Sequence, residues 1–255
     1  IPLEVSIMRN GVRLIITDST RRSNKIDPRF YDQIQDMFNR IDELTPSASA
    51  LVKYIWGNIE DTNSQCFQDL WVLFETLDKK NGFYVEFGAT AGLTISNTLL
   101  LEKKYGWTGI LAEPSPVFFP ELLTNRPNNK LSNMCVADKS NVSVEFFNTI
   151  EKELSCRKDV YKNNTPVETV TKVKTITLFD LLEENTAPLF IDYLSIDTEG
   201  GEFDILSEFF KRNDKYNIGL ITVEHNYVEE NRTKIFELLS QNGYQRRFEY
   251  ISAWD

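Results

Sequence analysis

Phe83-Tyr84-Val85-Glu86-Phe87-Gly88-Ala89-Thr90-Ala91-Gly92 reads as a buried strand with an acid near its end, then a tight glycine turn, then a helix. A second strand follows and also ends in an acid, Trp107-Thr108-Gly109-Ile110-Leu111-Ala112-Glu113-Pro114. Strand, glycine turn, helix, strand, acid is the order in which an α/β fold holds the ribose of a nucleoside cofactor. Glycine lets a ligand approach backbone that a Cβ would shield. The second acid can accept both ribose hydroxyls. The turn lacks the full G-x-G-x-x-G, and the carboxylate of Glu86 in the turn region would repel a pyrophosphate. A cofactor with a cationic amine and no phosphate suits it, and S-adenosylmethionine is the common one. A glycine pair alone would read as a structural turn; two acids at successive strand ends favour the nucleoside site.

Length and charge bound the rest. A chain of 255 residues with 41% apolar content has ample material for one large domain, or one domain with an appendage. The net charge of −10 argues against nucleic acid as a partner, because neutralising phosphates needs clustered Lys and Arg. No apolar run reaches the length of a membrane span. The chain begins at Ile1 without Met and shows no signal peptide, which leaves room for a longer parent protein. Cys66, Cys135 and Cys156 have no metal-ligand spacing and read as reduced thiols of a cytoplasmic protein.

The first sixty residues predict an N-terminal appendage: a hairpin over 3–18 around Asn10-Gly11, a helix after Asp27-Pro28 and a second helix over 47–56. It would pack on the core, form a homodimer contact or cover the substrate. From 61 to 255 the alternation is α/β, with helices at 64–77, 92–105, 116–123, 178–184, 202–211 and 229–242. Strands one to five fall at 83–87, 108–113, 131–136, 191–196 and 218–223. Additional strands are expected at 142–148 and 173–176, a loop or lid at 151–171, and a strand-like tail at 243–254.

Acidic groups punctuate the strand ends: Glu86, Glu113, Asp138, Asp197-Thr198-Glu199 and Glu224-His225. In open parallel sheets ligands sit beyond the carboxyl ends of the strands. Singly each of these is more often a turn residue or helix cap; five on one edge are hard to explain by solvation. Val136-Ala137-Asp138 would meet an adenine, with Asp138 accepting from the exocyclic amine or merely opening a turn. Glu202 is accounted for by the helix macrodipole, whereas Asp197 and Glu199 are reacting-centre candidates. His225, the single histidine, stands where a substrate would meet the cofactor, and imidazole is the usual base near neutral pH. Asp197 and Glu224 are candidates to hold magnesium or manganese, hard cations that take oxygen ligands.

Several of these motifs together resemble the FkbM-type S-adenosylmethionine-dependent methyltransferases. They are Ser64-Gln65-x-x-Gln68-Asp69, Tyr84-Val85-Glu86-Phe87-Gly88, Ser96-Asn97-Thr98, Gly106-Trp107-x-Gly109, Glu113-Pro114, Asp197-x-Glu199-Gly200-x-Glu202 and Glu224-His225-Asn226. The resemblance spans about residues 64–250. It implies a class I methyltransferase fold, a Rossmann-like sheet that is mostly parallel with one antiparallel strand and helices on both faces. It also implies methyl transfer to a hydroxyl of a sugar or natural product. Carried over by position, Glu86, Gly88 and Gly92 would face the methionine part, with Gln65 helping at the amino-acid end. Glu113 would take the ribose, and Ala137 and Asp138 the adenine. Two departures stand out: Thr90-Ala91 occupies a place where such proteins often carry Asn-Asp or similar, and the chain stops where a last strand should form.

The expected function is an S-adenosylmethionine-dependent O-methyltransferase acting on a small-molecule or carbohydrate acceptor, such as a nucleotide-sugar. A nicotinamide-dependent oxidoreductase on the same sheet is the alternative, disfavoured by Glu86 and the incomplete glycine pattern. A non-catalytic binding or assembly module is the other. Lys152, Arg157, Lys158, Lys162, Lys172 and Lys174 would serve an anionic acceptor, or simply solvate a loop.

Overall fold

The computed structural model describes residues 5–9, 12–16, 26, 28–162, 165–225 and 228–248, the first two stretches by their backbone. The chain divides into two units, Ile1–Lys80 with Thr94–Tyr105, and Asn81–Leu93 with Gly106–Asp255.

In the first unit β1 (Val5–Arg9) pairs antiparallel with β2 (Val12–Ile16). The Asn10-Gly11 turn, Asp27 and Asn226 lie outside the described residues. Helix α1 (Pro28–Asn39) buries Phe30, Ile34 and Phe38, one stripe at helical spacing. Helix α2 (Pro46–Asn58) starts at Thr45, whose side chain accepts the Ala48 amide, with Pro46 preset for the first turn. Helix α3 (Gln68–Glu75) is shorter than the expected 64–77. Phe67 has φ of 62°, which no right-handed helix can contain, and buried Asp69 draws in the Thr62 hydroxyl at 2.6 Å and the Asn63 amide at 2.8 Å. Helix α4 (Leu99–Tyr105) starts well after the predicted 92, because Thr90, Gly92 and Ile95 all have positive φ.

The second unit runs β3 (Phe83–Phe87), β4 (Thr108–Ala112), α5 (Phe119–Asn125), β5 (Lys130–Ser132), β6 (Cys135–Val136), β7 (Ser143–Thr149), β8 (Cys156–Arg157), β9 (Val167–Ile176), α6 (Leu178–Glu184), β10 (Phe190–Ile196), α7 (Glu202–Arg212), β11 (Asn217–Val223) and α8 (Glu229–Gln241). Five strands form a sheet in the order β11-β10-β3-β4-β5, all parallel. Their near-continuous apolar runs follow from burial of both sheet faces. One face is covered by α6 and α7, whose Leu178, Leu181, Ile205 and Phe209 join Val85, Phe87 and Leu194 in the core. The chain starts in the middle at β3, runs outward to β5, then returns to β10 and β11 on the other side. The order therefore reverses between β3 and β10, the place where such sheets open a crevice at their carboxyl ends.

Expected strand three is really two strands. Lys130–Ser132 pairs with β4, while Cys135–Val136 pairs with β9 in a second sheet ordered β6-β9-β7-β8. The Met134 amide turns back onto the Ser132 hydroxyl at 3.2 Å, which breaks the run between them. In that second sheet β7 is antiparallel to both neighbours. Part of the expected 151–171 loop is strand: Cys156–Arg157 forms β8, and β9 begins at Val167. The outer part of β9 is exposed on both faces, so it carries no apolar period that a sequence reading could detect. The antiparallel strand implied for the main sheet is not among its described residues; 244–248 is irregular and 249–255 lies outside the description. Among the described residues no helix is long and apolar enough to cross a membrane.

Candidate functional site at the carboxyl edge of the parallel sheet

Because all five strands run the same way, the residues after β3, β4, β10 and β11 share one edge. The turn after β3 is compact. The Gly88 and Ala89 amides both donate to the Ala112 carbonyl of β4, at 3.1 and 3.3 Å, and the Gly92 amide closes on Ala89 at 2.9 Å. Gly88 and Gly92 have φ of 70° and 72°. A Cβ on Gly88 would lie 2.0 Å from the Asp197 carbonyl oxygen, and one on Gly92 2.6 Å from Leu122 and 2.7 Å from Arg126. The chain's own atoms thus fill the space these glycines leave, and glycine is required there by packing whatever ligand lies beyond. Glu86, in β3 and 3% exposed, alternates with Val85 and Phe87 and so projects from the opposite sheet face.

Glu113 follows β4 and is 4% exposed. One carboxylate oxygen accepts the Thr90 amide and the other the Ser115 amide, each at 2.8 Å. Burial raises its pKa to about 7, against the two amides, with the nearby Asp197 charge adding to the rise. Thr90 and Ser115 are thus site residues that the sequence reading overlooked. Their contribution is backbone N–H, which no side-chain motif announces.

Asp197 and Glu224 end neighbouring strands, and the Glu224 amide continues the ladder onto the Ile196 carbonyl at 3.0 Å. One carboxylate oxygen from each of Asp197, Glu199 and Glu224 lies within 4.8 Å of the others. Desolvation raises the pKa of Asp197, and a hydrogen bond with Glu224 opposes that rise. Two such carboxyls this close share a proton more readily than they both ionise. Glu202 has more to do than face the helix dipole. Its buried carboxylate accepts the Thr198 amide at 3.0 Å, the Thr198 hydroxyl at 2.9 Å and the Gly200 amide at 2.9 Å. It thereby moulds the loop in which Glu199 and Gly200 adopt φ of 60° and 129°.

His225 is buried, and its pKa is lowered first by desolvation, then by the charges of Arg232 and Arg246. The imidazole is therefore neutral at pH 7 and able to accept a proton.

The edge brings Glu113, Asp197, Glu199, Glu224 and His225 to the ends of β4, β10 and β11. Ala137 and Asp138 follow β6, a strand of the second sheet, which corrects their expected place on the main sheet. Ala137 is buried, whereas the Asp138 side chain is 43% exposed and lies 3.9 Å from the Arg157 guanidinium. That guanidinium, 8% exposed, also bonds Asp159 at 3.0 Å. Gln65 belongs to the first unit. Of the basic residues weighed for an anionic acceptor, Lys152 pairs with Glu168 and Lys158 with Glu145.

No curated protein matches the chain. Three similar solved structures are METTL16 domains: the methyltransferase domain in crystal form 2 at 13% identity, covering 89% of this chain and 88% of that one with a TM-score of 0.42; the same domain at 10% identity, covering 86% and 85% with a TM-score of 0.43; and the N-terminal domain of human METTL16 at 13% identity, covering 89% of each with a TM-score of 0.40. The family described as the methyltransferase FkbM domain matches residues 86–246, more than half of the sequence. The chain belongs to the FkbM methyltransferase family.

Proposed function

We propose that this protein is an O-methyltransferase that uses S-adenosylmethionine to methylate a hydroxyl of a sugar, nucleotide-sugar, glycan or natural-product acceptor. S-adenosylmethionine is the usual cofactor of this family. The observation that carries the reading is the shared edge: a buried acid after β4 tied to the β3 turn, an acid pair at the ends of β10 and β11, and a neutral histidine next along the chain after β11.

The residues suit the cofactor. Glu113 spends one acceptor site of each oxygen on the Thr90 and Ser115 amides and keeps further lone pairs for a ribose diol. A desolvated carboxylate with a raised pKa gains from any hydroxyl that donates to it. When bound, the cofactor would supply an electrophilic sulfonium methyl. His225 would take the proton of the acceptor's hydroxyl, leaving its oxygen free to accept the methyl group. The edge contributes by holding the two reactants in line. Asp197, Glu199 and Glu224 are placed to accept hydrogen bonds from a polyhydroxylated acceptor.

A second reading rests on the closeness of those three carboxylates. They form an oxygen donor set suited to magnesium or manganese, which would supply Lewis-acid activation of the hydroxyl.

Methyl transfer from labelled S-adenosylmethionine is the direct test. Acceptors are chosen first by thermal shift of sugars and nucleotide-sugars with S-adenosylhomocysteine present. Label in a methyl ether of the acceptor is the expected result. Label on nitrogen or carbon, or NAD binding in place of S-adenosylmethionine, would overturn the proposal.

A further inference from the structure

Thr90 is β-branched and has φ of 47°. Such residues rarely adopt the left-handed region, and the strain persists only where the surroundings over-determine it. The surroundings do so from α5. The side-chain amide of Asn125 donates to the Ala91 carbonyl at 2.8 Å. Arg126, fully buried at the end of that helix, donates to the Gly92 carbonyl at 3.1 Å and to the Tyr84 hydroxyl at 2.7 Å. The Tyr84 hydroxyl donates in turn to the Asn129 side-chain oxygen at 2.8 Å, which also accepts the Gly109 amide at 2.9 Å. The carbonyls just after Thr90 are thereby clamped to α5, and the arginine is braced on β3 and β4.

We propose that Asn125 and Arg126 are positioning residues for cofactor binding. They hold the β3 turn in the strained form that aims the Thr90 amide at Glu113, and so set the place of that carboxylate. Neither touches the reacting atoms. The inference rests on the proposed use of S-adenosylmethionine. A buried clamp of this kind has a plainer purpose, keeping the fold intact, so the test needs readouts that stability alone would not move.

Asn125 is half-buried and its truncation leaves the core untouched, so Asn125→Ala is the primary variant. Calorimetry with S-adenosylmethionine should show affinity weaker by about five- to tenfold, the loss of one hydrogen bond's worth of order. With an identified acceptor, the loss should fall on the KM for S-adenosylmethionine and not on kcat. The Thr90 amide lowers the Glu113 pKa, so the midpoint of the affinity–pH profile should move to higher pH in the variant. Thr90→Asn keeps the amide, and asparagine tolerates the left-handed region. Added to Asn125→Ala, it should restore affinity and midpoint. Arg126→Lys, which cannot span the Gly92 carbonyl and the Tyr84 hydroxyl together, should behave as Asn125→Ala does. Wild-type affinity and midpoint in Asn125→Ala, or no rescue by Thr90→Asn, would overturn the clamp. Failure of the wild-type protein to bind S-adenosylmethionine at all would instead remove the cofactor reading beneath it.

Discussion

The Glu113 carboxylate accepts the Thr90 amide at 2.8 Å, a side-chain tie from the residue after β4 to the turn after β3, added to the Gly88 and Ala89 amides on the Ala112 carbonyl. It orients the acid that the sequence marks for a ribose, and it does so through backbone. The same carboxylate lies close enough to Asp197 for that charge to raise its pKa. The proposed cofactor and acceptor ends of the edge are therefore coupled electrically.

Glu113→Ala should weaken S-adenosylmethionine binding by about 1.5–3 kcal/mol, the worth of hydrogen bonds to a charged acceptor. Calorimetry checks this, and far-UV circular dichroism should be unaltered. Equal affinity in the variant would remove Glu113 from the site.

Affinity should also depend on pH. Hydroxyls that donate to the Glu113 carboxylate favour its ionised form, so binding releases a proton whenever the free protein holds one. With a pKa of about 7, affinity should fall on acidification below that value, by up to about tenfold per pH unit. Stability runs the opposite way. The folded-state pKa lies above the ordinary 4.5, so the folded protein holds the proton more tightly and this group's contribution is lost as pH rises from 4.5 through 7. The cost at higher pH is about 3 kcal/mol as an order of magnitude. Glu113→Gln should therefore raise the melting temperature at about pH 8 and change it little at about pH 5. A uniform shift at both would contradict the raised pKa.

His225→Ala should lower kcat by about two to four decades while leaving cofactor affinity near wild type, since a general base acts on the substrate proton. Its lowered pKa places the acid limb of the rate profile below the ordinary 6.5. A variant that turns over at the wild-type rate would end the base assignment.

Chelation separates the two readings of the acid cluster. If Asp197, Glu199 and Glu224 serve only as hydrogen-bond acceptors, thorough EDTA treatment leaves turnover intact. Loss of turnover, restored by magnesium or manganese with cofactor affinity unaltered, would establish the cation instead.

Gly88→Ala should destabilise the ligand-free protein by more than about 1–2 kcal/mol, because the residue has positive φ and its Cβ would meet the Asp197 carbonyl. Thermal unfolding without cofactor measures it. An unchanged melting temperature, with only binding lost, would mean that this glycine makes room for ligand alone.

The sequence by itself determined the parallel α/β sheet and the acids at its strand ends. Largely apolar runs of five to seven residues followed by Gly88, Glu113, Asp197 and Glu224 are local signals, because a strand covered on both faces is mostly apolar, with Glu86 in β3 and Asp192 in β10 as buried exceptions. Contacts remote in the chain were decided only by the tertiary structure. Nothing local marks Arg126 as buried beneath the glycine turn, since an arginine after a short helix normally points to water. Nothing local separates Ser132 from Cys135, because which sheet a short strand joins depends on its partner: β4 in one case, β9 in the other. The delayed start of α4 has the same origin. Thr90 and Ile95 have no intrinsic preference for positive φ, and that conformation exists only where surrounding bonds outweigh its strain.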